Sequence, residues 1–349
     1  MKSKKSGTQS KFLKIAAKSW DVGALRLLLA KMRKKRILVV GDLGVDRYTE
    51  GTVERICPEA PVPILHVSRE TLKLGLGANV ADNIRVLDGE VLLIGVVGAD
   101  RTGEDFKRLM RTAGINPAHL VVDRKRRTVL KERLVTSQQQ ILRVDYEDLL
   151  PIAPATTGKV LRKTRNLISK VDAVIVQDYQ KGMFSGDTAR KLIALVRKRK
   201  GIVTVDPHPK AKSVSYRGAM VLTPNIKEAE ALARVPITDD DSLDIAGRRI
   251  LREAGAEHVV ITRGKDGMAI FTAGKSVVYL IPTYAREVFD VSGAGDTVIA
   301  VLTLALSAGG SIQEAAILGN LAAGVEVGKR GTATVTANEI LEMMDVMRR

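Results

Sequence analysis

The chain has 349 residues, 45% apolar, 27% charged and 3% aromatic, with 30 glycines and 11 prolines, a globular composition that excludes disordered, collagen-like and coiled-coil classes. A single Cys57 excludes an intrachain disulfide and suits a reducing compartment, and His66, His119, His208 and His258 are too scattered for a zinc site. The net charge of +17 is uneven: residues 1–36 hold twelve Lys/Arg against Asp21, or +11, leaving +6 for the other 313 residues, and with so few aromatics no nucleic-acid partner is expected.

In chain order, residues 1–36 form a basic extension. Between Lys11 and Lys35, first Phe12, Ile15 and Ala16, then Leu25, Leu28, Leu29 and Met32 recur at helical spacing, broken at Asp21 and Gly23. This predicts two short amphipathic basic helices. They either dock on the body or a partner subunit, or attach peripherally to an anionic inner membrane face by shallow leucine insertion. On either reading, deleting residues 1–34 is expected to spare turnover. The apolar stretch at 24–30 carries Arg26 and is far too short to span a membrane, and the basic block Arg33 to Arg36 does not suit a secretory signal. Cytoplasmic residence is the expectation.

From residue 37, unbroken apolar runs at 37–41, 91–95, 173–176, 202–205, 219–222 and 258–261 lie near polar or glycine turns, as buried parallel strands do. Amphipathic stretches at 102–112, 156–169, 187–199, 226–233 and 242–254 supply covering helices, and 293–324 is an alanine- and glycine-rich helical end. The predicted fold is therefore α/β: a mostly parallel central sheet with helices on both faces. Two regions do not suit βα units: 48–72, and 127–146, where 128–135 and 140–144 form a hairpin around Ser137-Gln138-Gln139. They read as a small β-strand lid over a site at the strand carboxyl ends. The body spans 37–340, and 341–349 is the end of a C-terminal helix.

The densest chemical cluster is Asp290-Val291-Ser292-Gly293-Ala294-Gly295-Asp296-Thr297 ahead of an apolar helix. Glycines there let the Gly293, Ala294 and Gly295 amides converge on an anion, helped by the helix dipole. Asp296 in such a hole suits a general base beside a phosphate, although a capped helix start is the plainer alternative. The pattern is neither a Walker A loop nor a dinucleotide fingerprint.

Gly293 to Asp296, with Asp290 upstream, resembles the second signature of the ribokinase-like (PfkB-type) carbohydrate kinases. Three more segments fall in that family's order. Asn225-Ile226-Lys227-Glu228 resembles its N-x-x-E motif, which helps arrange magnesium and phosphates. Thr262-Arg263-Gly264-Lys265-Asp266-Gly267 resembles its nucleotide loop, and Gly75-Leu76-Gly77-Ala78-Asn79 its sugar-binding di-glycine signature. Leu76 stands where the pair's second glycine belongs. Gly41 to Tyr48, Arg55 to Pro63, Gln139 to Asp145, Gln177 to Gly182 and Gly328-Lys329-Arg330-Gly331-Thr332 resemble the branch that phosphorylates C1 of a heptose 7-phosphate.

The resemblance, covering about residues 37–340, implies the fold, ATP as phosphoryl donor, magnesium, room for a monovalent cation, and a homodimer through the lid strands. It implies Asp296 as the base that deprotonates the anomeric hydroxyl. Asn225, Ile226, Lys227, Glu228, Thr262, Arg263, Gly264 and Gly267 take the nucleotide side, with Asn225 and Glu228 acting on magnesium indirectly. Without the resemblance, Asn225 and Glu228 read as a helix cap. Asp42, Asp46, Gly75, Gly77, Asn79, Asp178 and Asp206 fall to the sugar. Arg55, Arg143 and Lys181 are candidate cations for its remote phosphate. Many relatives carry a nucleotidyltransferase domain after the kinase, so a separate nucleotidyltransferase is expected in the pathway. Other substrates of the same fold, and a non-enzymatic basic adaptor, are the competing readings.

Overall fold

The computed structural model describes residues 11–137, 139–285, 287–329 and 331–348, so Arg330 and Gln138 of the motifs above and the first ten residues of the extension lie outside the described residues. Strand β1 (Phe12–Lys14) and helix α1 (Val22–Met32) come first. β2 (Arg36–Gly41) leads into two long strands, β3 (Leu43–Ile56) and β4 (Pro63–Leu76), and then α2 (Gly77–Val86). Next are β5 (Glu90–Ile94), β6 (Val96–Gly98), α3 (Arg101–Thr112), β7 (Val121–Asp123), β8 (Val129–Val135), β9 (Gln140–Tyr146) and α4 (Pro154–Leu167). β10 (Ala173–Gln177), α5 (Thr188–Arg197), β11 (Ile202–Asp206), β12 (Val221–Leu222), α6 (Ile226–Ala233), α7 (Asp240–Ala254) and β13 (His258–Thr262) continue the alternation. β14 (Met268–Thr272), β15 (Val278–Ile281), α8 (Ala294–Ser307), α9 (Ile312–Glu326) and α10 (Ala337–Arg348) complete it.

The central sheet has the order β1-β15-β14-β13-β12-β11-β10-β2-β5, parallel except where β14 pairs antiparallel with β13 and β15. Its strands read as unbroken apolar runs because both faces are covered: Ile37 and Val39 point into the core under α1, α2, α8 and α9, while Leu38 and Val40 point into the one under α4 to α7. The predicted architecture is present.

The extension differs from expectation. Phe12–Lys14 is a strand, because its backbone finds open edge partners on β15, in register Phe12 with Val278. Only the second predicted helix forms, α1, capped by Asp21 accepting from the Ala24 amide at 3.0 Å. Its Leu25, Leu28, Leu29 and Met32 all lie in the core. The residues that membrane attachment would insert are therefore already buried, and among the described residues no helix is long and apolar enough to cross a membrane.

The second sheet, β4-β3-β8-β9, is the lid, and it begins earlier than expected because β3 departs one residue after β2 ends. Its return strand β4 runs straight into α2. Cross-strand partners share a face, so Lys73, Asp46, Lys131 and Asp145 form one row across the lid, and Thr71, Tyr48, Arg133 and Arg143 the next.

Candidate active site

Gly293 caps α8 with φ +100, a backbone open to glycine and strained for other residues. Ala294, Gly295 and Asp296 then form the helix's first turn, where amides lack intrahelical acceptors; that of Ala294 donates to the Val291 carbonyl at 3.4 Å. A Cβ on Gly295 would meet nothing within 4 Å, so this side of the turn is open. Asp296 is buried, at 8% exposure, and fully engaged. Its Oδ2 accepts from Asn79 Nδ2 at 2.8 Å, and its Oδ1 accepts from Gln177 Nε2 at 2.9 Å and from the Tyr179 hydroxyl. Burial pushes its pKa up to about 6, the Asn79 and Tyr179 hydrogen bonds pulling the other way. It is thus ionised at neutral pH, yet basic enough to take a proton.

The sugar-side motif is drawn to the same place. Asn79 sits in the first turn of α2, and a Cβ on Gly75 would fall 2.6 Å from Asp46 Oδ2, so only glycine fits there. Leu76 adopts φ +56, the conformation a glycine would take freely. Its side chain is buried against Gly44 on the lid side. Gly77 donates its amide to the Asp42 carbonyl at 3.0 Å, which closes α2 onto the end of β2.

Several expected sugar or phosphate ligands have other work. Asp42 accepts from the backbone amides of Tyr179, Lys181 and Met183 at 3.0 to 3.3 Å, so its carboxylate holds the loop after β10. Asp178 accepts from the Tyr216 hydroxyl and the Gln180 amide, both at 2.8 Å, fixing the same loop. Lys181 Nζ is paired with Glu147 at 2.8 Å, and one Asp46 oxygen with Arg133 at 2.5 Å. Arg143 is half exposed on the edge strand β9 and bonded to Asp145 at 2.9 Å. Arg55 is exposed nine residues beyond Asp46 along β3, about 30 Å at 3.3 Å per residue, past two β-bulges.

On the nucleotide side, Asn225 Oδ1 accepts from the Glu228 amide at 3.0 Å and Glu228 Oε2 accepts from the Asn225 amide at 2.8 Å, a reciprocal helix cap. The plainer reading of this pair is therefore realised. Ile226 packs on the core and Lys227 is exposed. Asn225 also bridges Thr262, which brings the second nucleotide motif alongside. There Arg263 donates its amide to the Gly267 carbonyl at 2.7 Å, with Gly264 at φ +55 and Gly267 at φ +80. Burial, with the charges of Glu228 and Asp296, holds the Asp206 carboxyl well above the usual range, and burial raises Glu228 to about 7. Crowded carboxylates of this kind suit a nearby cation. Among the described residues no three His, Cys, Asp or Glu side chains converge into a ready-made metal site.

Sequence reasoning missed Gln177, Tyr179, Lys131 and Arg133. Gln177 and Tyr179 lie within a motif stretch but carry no charge that singles them out. Lys131 lies over the Tyr179 ring, its Nζ 5.8 Å from the centroid, and makes no hydrogen bond or ion pair among the described residues. Lys73, Arg133 and Tyr48 line a cavity of about 790 Å³ between the lid and Asp290 and Ser292 of the anion-hole loop.

The chain is similar to known proteins over most of its length. The bifunctional protein HldE of Geobacter sulfurreducens is 44% identical over 304 residues, 87% of this chain and 62% of that protein. HldE of Rhodospirillum rubrum is 41% identical over 318 residues, 91% of this chain and 64% of that protein. The chain thus spans less than two thirds of the length of these relatives. Arabidopsis thaliana ribokinase, complexed with ribose and ATP, shares the fold at TM-score 0.70 and 19% identity, covering 89% of this chain and 99% of its own. Escherichia coli phosphofructokinase-2, complexed with potassium, does so at TM-score 0.72 and 18% identity, covering 91% and 100%. A model of the pfkB family carbohydrate kinases matches residues 34–339, so that nearly the whole chain, both signature regions included, belongs to that family.

Proposed function

We propose that this kinase transfers the γ-phosphate of ATP to the anomeric hydroxyl of D-glycero-β-D-manno-heptose 7-phosphate, giving the 1,7-bisphosphate for ADP-heptose and lipopolysaccharide core synthesis. The observation that carries the reading is the lid face over Asp296, where Lys131, with no ion pair among the described residues, shares the face with Lys73 and Arg133. A neutral sugar needs no such surplus of cation, whereas a phosphate remote from C1 does. The 41 to 44% identity to HldE proteins supports the same branch.

In this reading Asn79, Gln177 and Tyr179 orient Asp296, which removes the proton from the attacking hydroxyl. Asp46 and Asn79 border the sugar. The amides of Gly293, Ala294 and Gly295 receive charge developing on the transferred phosphoryl group. Asn225 to Glu228 and Thr262 to Gly267 border the nucleotide. Magnesium supplies charge neutralisation on the phosphates when bound, and a monovalent cation is a further requirement to be tested. Exposed Val53, Ile56, Val67 and Leu142 on the lid support a homodimer through those strands. Adenylylation of the product is left to a nucleotidyltransferase activity outside these residues.

The test is ADP release over a panel of sugars and sugar phosphates, with the product's new phosphate located by NMR. Heptose 7-phosphate should give the highest kcat/KM and phosphorylation at C1. Equal or better kcat/KM with unphosphorylated heptose or ribose refutes the substrate and leaves the sugar-kinase class standing.

A further inference from the structure

Glu326, the last residue of α9, has no place in the mechanism above, yet it is fully buried, at 0% exposure. Among the described residues no side chain hydrogen-bonds to either carboxyl oxygen, and the backbone amide of Ala333 approaches the carboxyl without closing a well-formed bond. A buried carboxyl with at most one weak backbone donor is costly when charged, so its presence in a native fold calls for an explanation. Its position supplies one. A Cβ built on Gly293 would lie 3.0 Å from Glu326 Oε1, 3.3 Å from Asn79 Nδ2 and 3.4 Å from Thr332 Cγ2. These three side chains pack the back of the anion-hole turn, whose front at Gly295 is open. One of them, Asn79, also orients Asp296.

We propose that Glu326 is a positioning residue of the anion hole: as the neutral acid it backs the Gly293 turn so that the amides hold phosphate, and its ionisation weakens that hold at alkaline pH. The inference rests on the kinase reading only in taking the occupant of the hole to be the nucleotide's terminal phosphate.

The charged surroundings agree. Asp290 from the loop before α8 and Asp296 from α8 both face Glu326 and disfavour its charge. Lys329, just beyond α9, opposes them, but its Nζ is engaged with Glu339 of α10 at 2.6 Å and with the Thr334 carbonyl at 2.8 Å. Burial, the largest influence, pushes Glu326 up to about 8. Ionisation would therefore place a third negative charge behind amides that must bind an anion.

The experiment is calorimetric titration of the whole chain with MgATP between pH 7 and 9.5, which needs no sugar and so stands or falls apart from the heptose assignment. If a bound phosphate raises the Glu326 pKa by one unit, affinity falls by up to about tenfold across this range. Glu326→Gln keeps the shape and cannot ionise, so its titration should lack that loss. Glu228, near 7, becomes more anionic over the same interval and would favour magnesium, a change of opposite sign. A pH-independent affinity in the unmodified chain overturns the proposal, and so does an equal alkaline loss in Glu326→Gln. Should the glutamine variant not fold, Glu326→Leu provides the same comparison, and the unmodified profile alone still decides against a flat response.

Discussion

Asn79 and Asp296 lie 217 residues apart, yet Asn79 Nδ2 donates to Asp296 Oδ2 at 2.8 Å inside the core. The residue that ends the sugar-side motif thereby orients the carboxylate that opens α8. On the proposed assignment, a sugar held by the first would be brought to the base by the same bond, the coupling that effective positioning in phosphoryl transfer requires.

Replacing Asp296 by Asn keeps the volume and the Gln177 and Tyr179 neighbours but leaves no proton acceptor. Turnover should fall by about 10² to 10⁴ while the melting temperature stays close to that of the parent. Steady-state kcat beside a thermal melt checks this. A folded Asp296→Asn protein with near-normal kcat overturns the assignment.

The acid limb of the pH profile tests the environment of the same carboxylate. Because Asp296 must be ionised to act, activity should be lost as pH falls through about 6. The Tyr179 hydroxyl stabilises the ionised form, so Tyr179→Phe should raise the Asp296 pKa and move the limb to higher pH. For a one-unit rise, turnover at pH 7 drops by about twofold. A limb that stays in place shows that the remaining Asn79 and Gln177 bonds alone set the titration.

Much of the fold was legible because apolar runs and amphipathic stretches report local burial directly, as β2 and β10 to β13 show. The glycine-opened start of α8 was legible because Gly293 is tied to a left-handed backbone that glycine alone adopts freely. The sugar pocket was less so. Asp42 and Arg143 are acid and base beside loops, and sequence alone does not say that three backbone amides claim the first and Asp145 the second. Leu76 is the reverse case. It stands in a glycine's place, yet the backbone keeps φ +56 and the side chain lies against Gly44. Such a conformation costs about 1 to 3 kcal/mol, offset here by burial of the leucine.

Lys131 gives the sharpest test of the substrate's remote phosphate. Burial pulls its pKa below the ordinary lysine value while Asp46 opposes this. Lys131→Met preserves the stem and removes the charge. Loss of one charge-assisted bond, about 1.5 to 3 kcal/mol, should raise KM for the sugar phosphate by roughly 10- to 150-fold. KM for MgATP should not move. Equal effects on both substrates would place Lys131 at the transferred phosphate instead.

The N-terminal extension provides the last test, because its two readings from sequence both expected deletion of residues 1–34 to be harmless. The structure predicts the opposite. Trp20, Leu25, Leu28, Leu29 and Met32 are each 7% exposed or less, and Trp20 makes an edge contact with Tyr284 at 4.9 Å between ring centroids. A Cβ on Gly310, in the α8–α9 turn, would fall 2.5 Å from a Leu28 methyl, a measure of how closely α1 is seated. Burying five such side chains at about 1.5 to 3 kcal/mol each amounts to roughly 10 kcal/mol. That is comparable to the whole stability of a domain, about 5 to 15 kcal/mol. The truncated chain should therefore express as insoluble or molten protein, read by a lost cooperative melt. Two point variants separate this from a general intolerance of change: Leu28→Asp should abolish the melt, whereas Leu27→Glu, at a position 56% exposed, should change stability by no more than about 0.5 kcal/mol. A truncated protein that melts cooperatively at the parent temperature would show that α1 contributes nothing to the core.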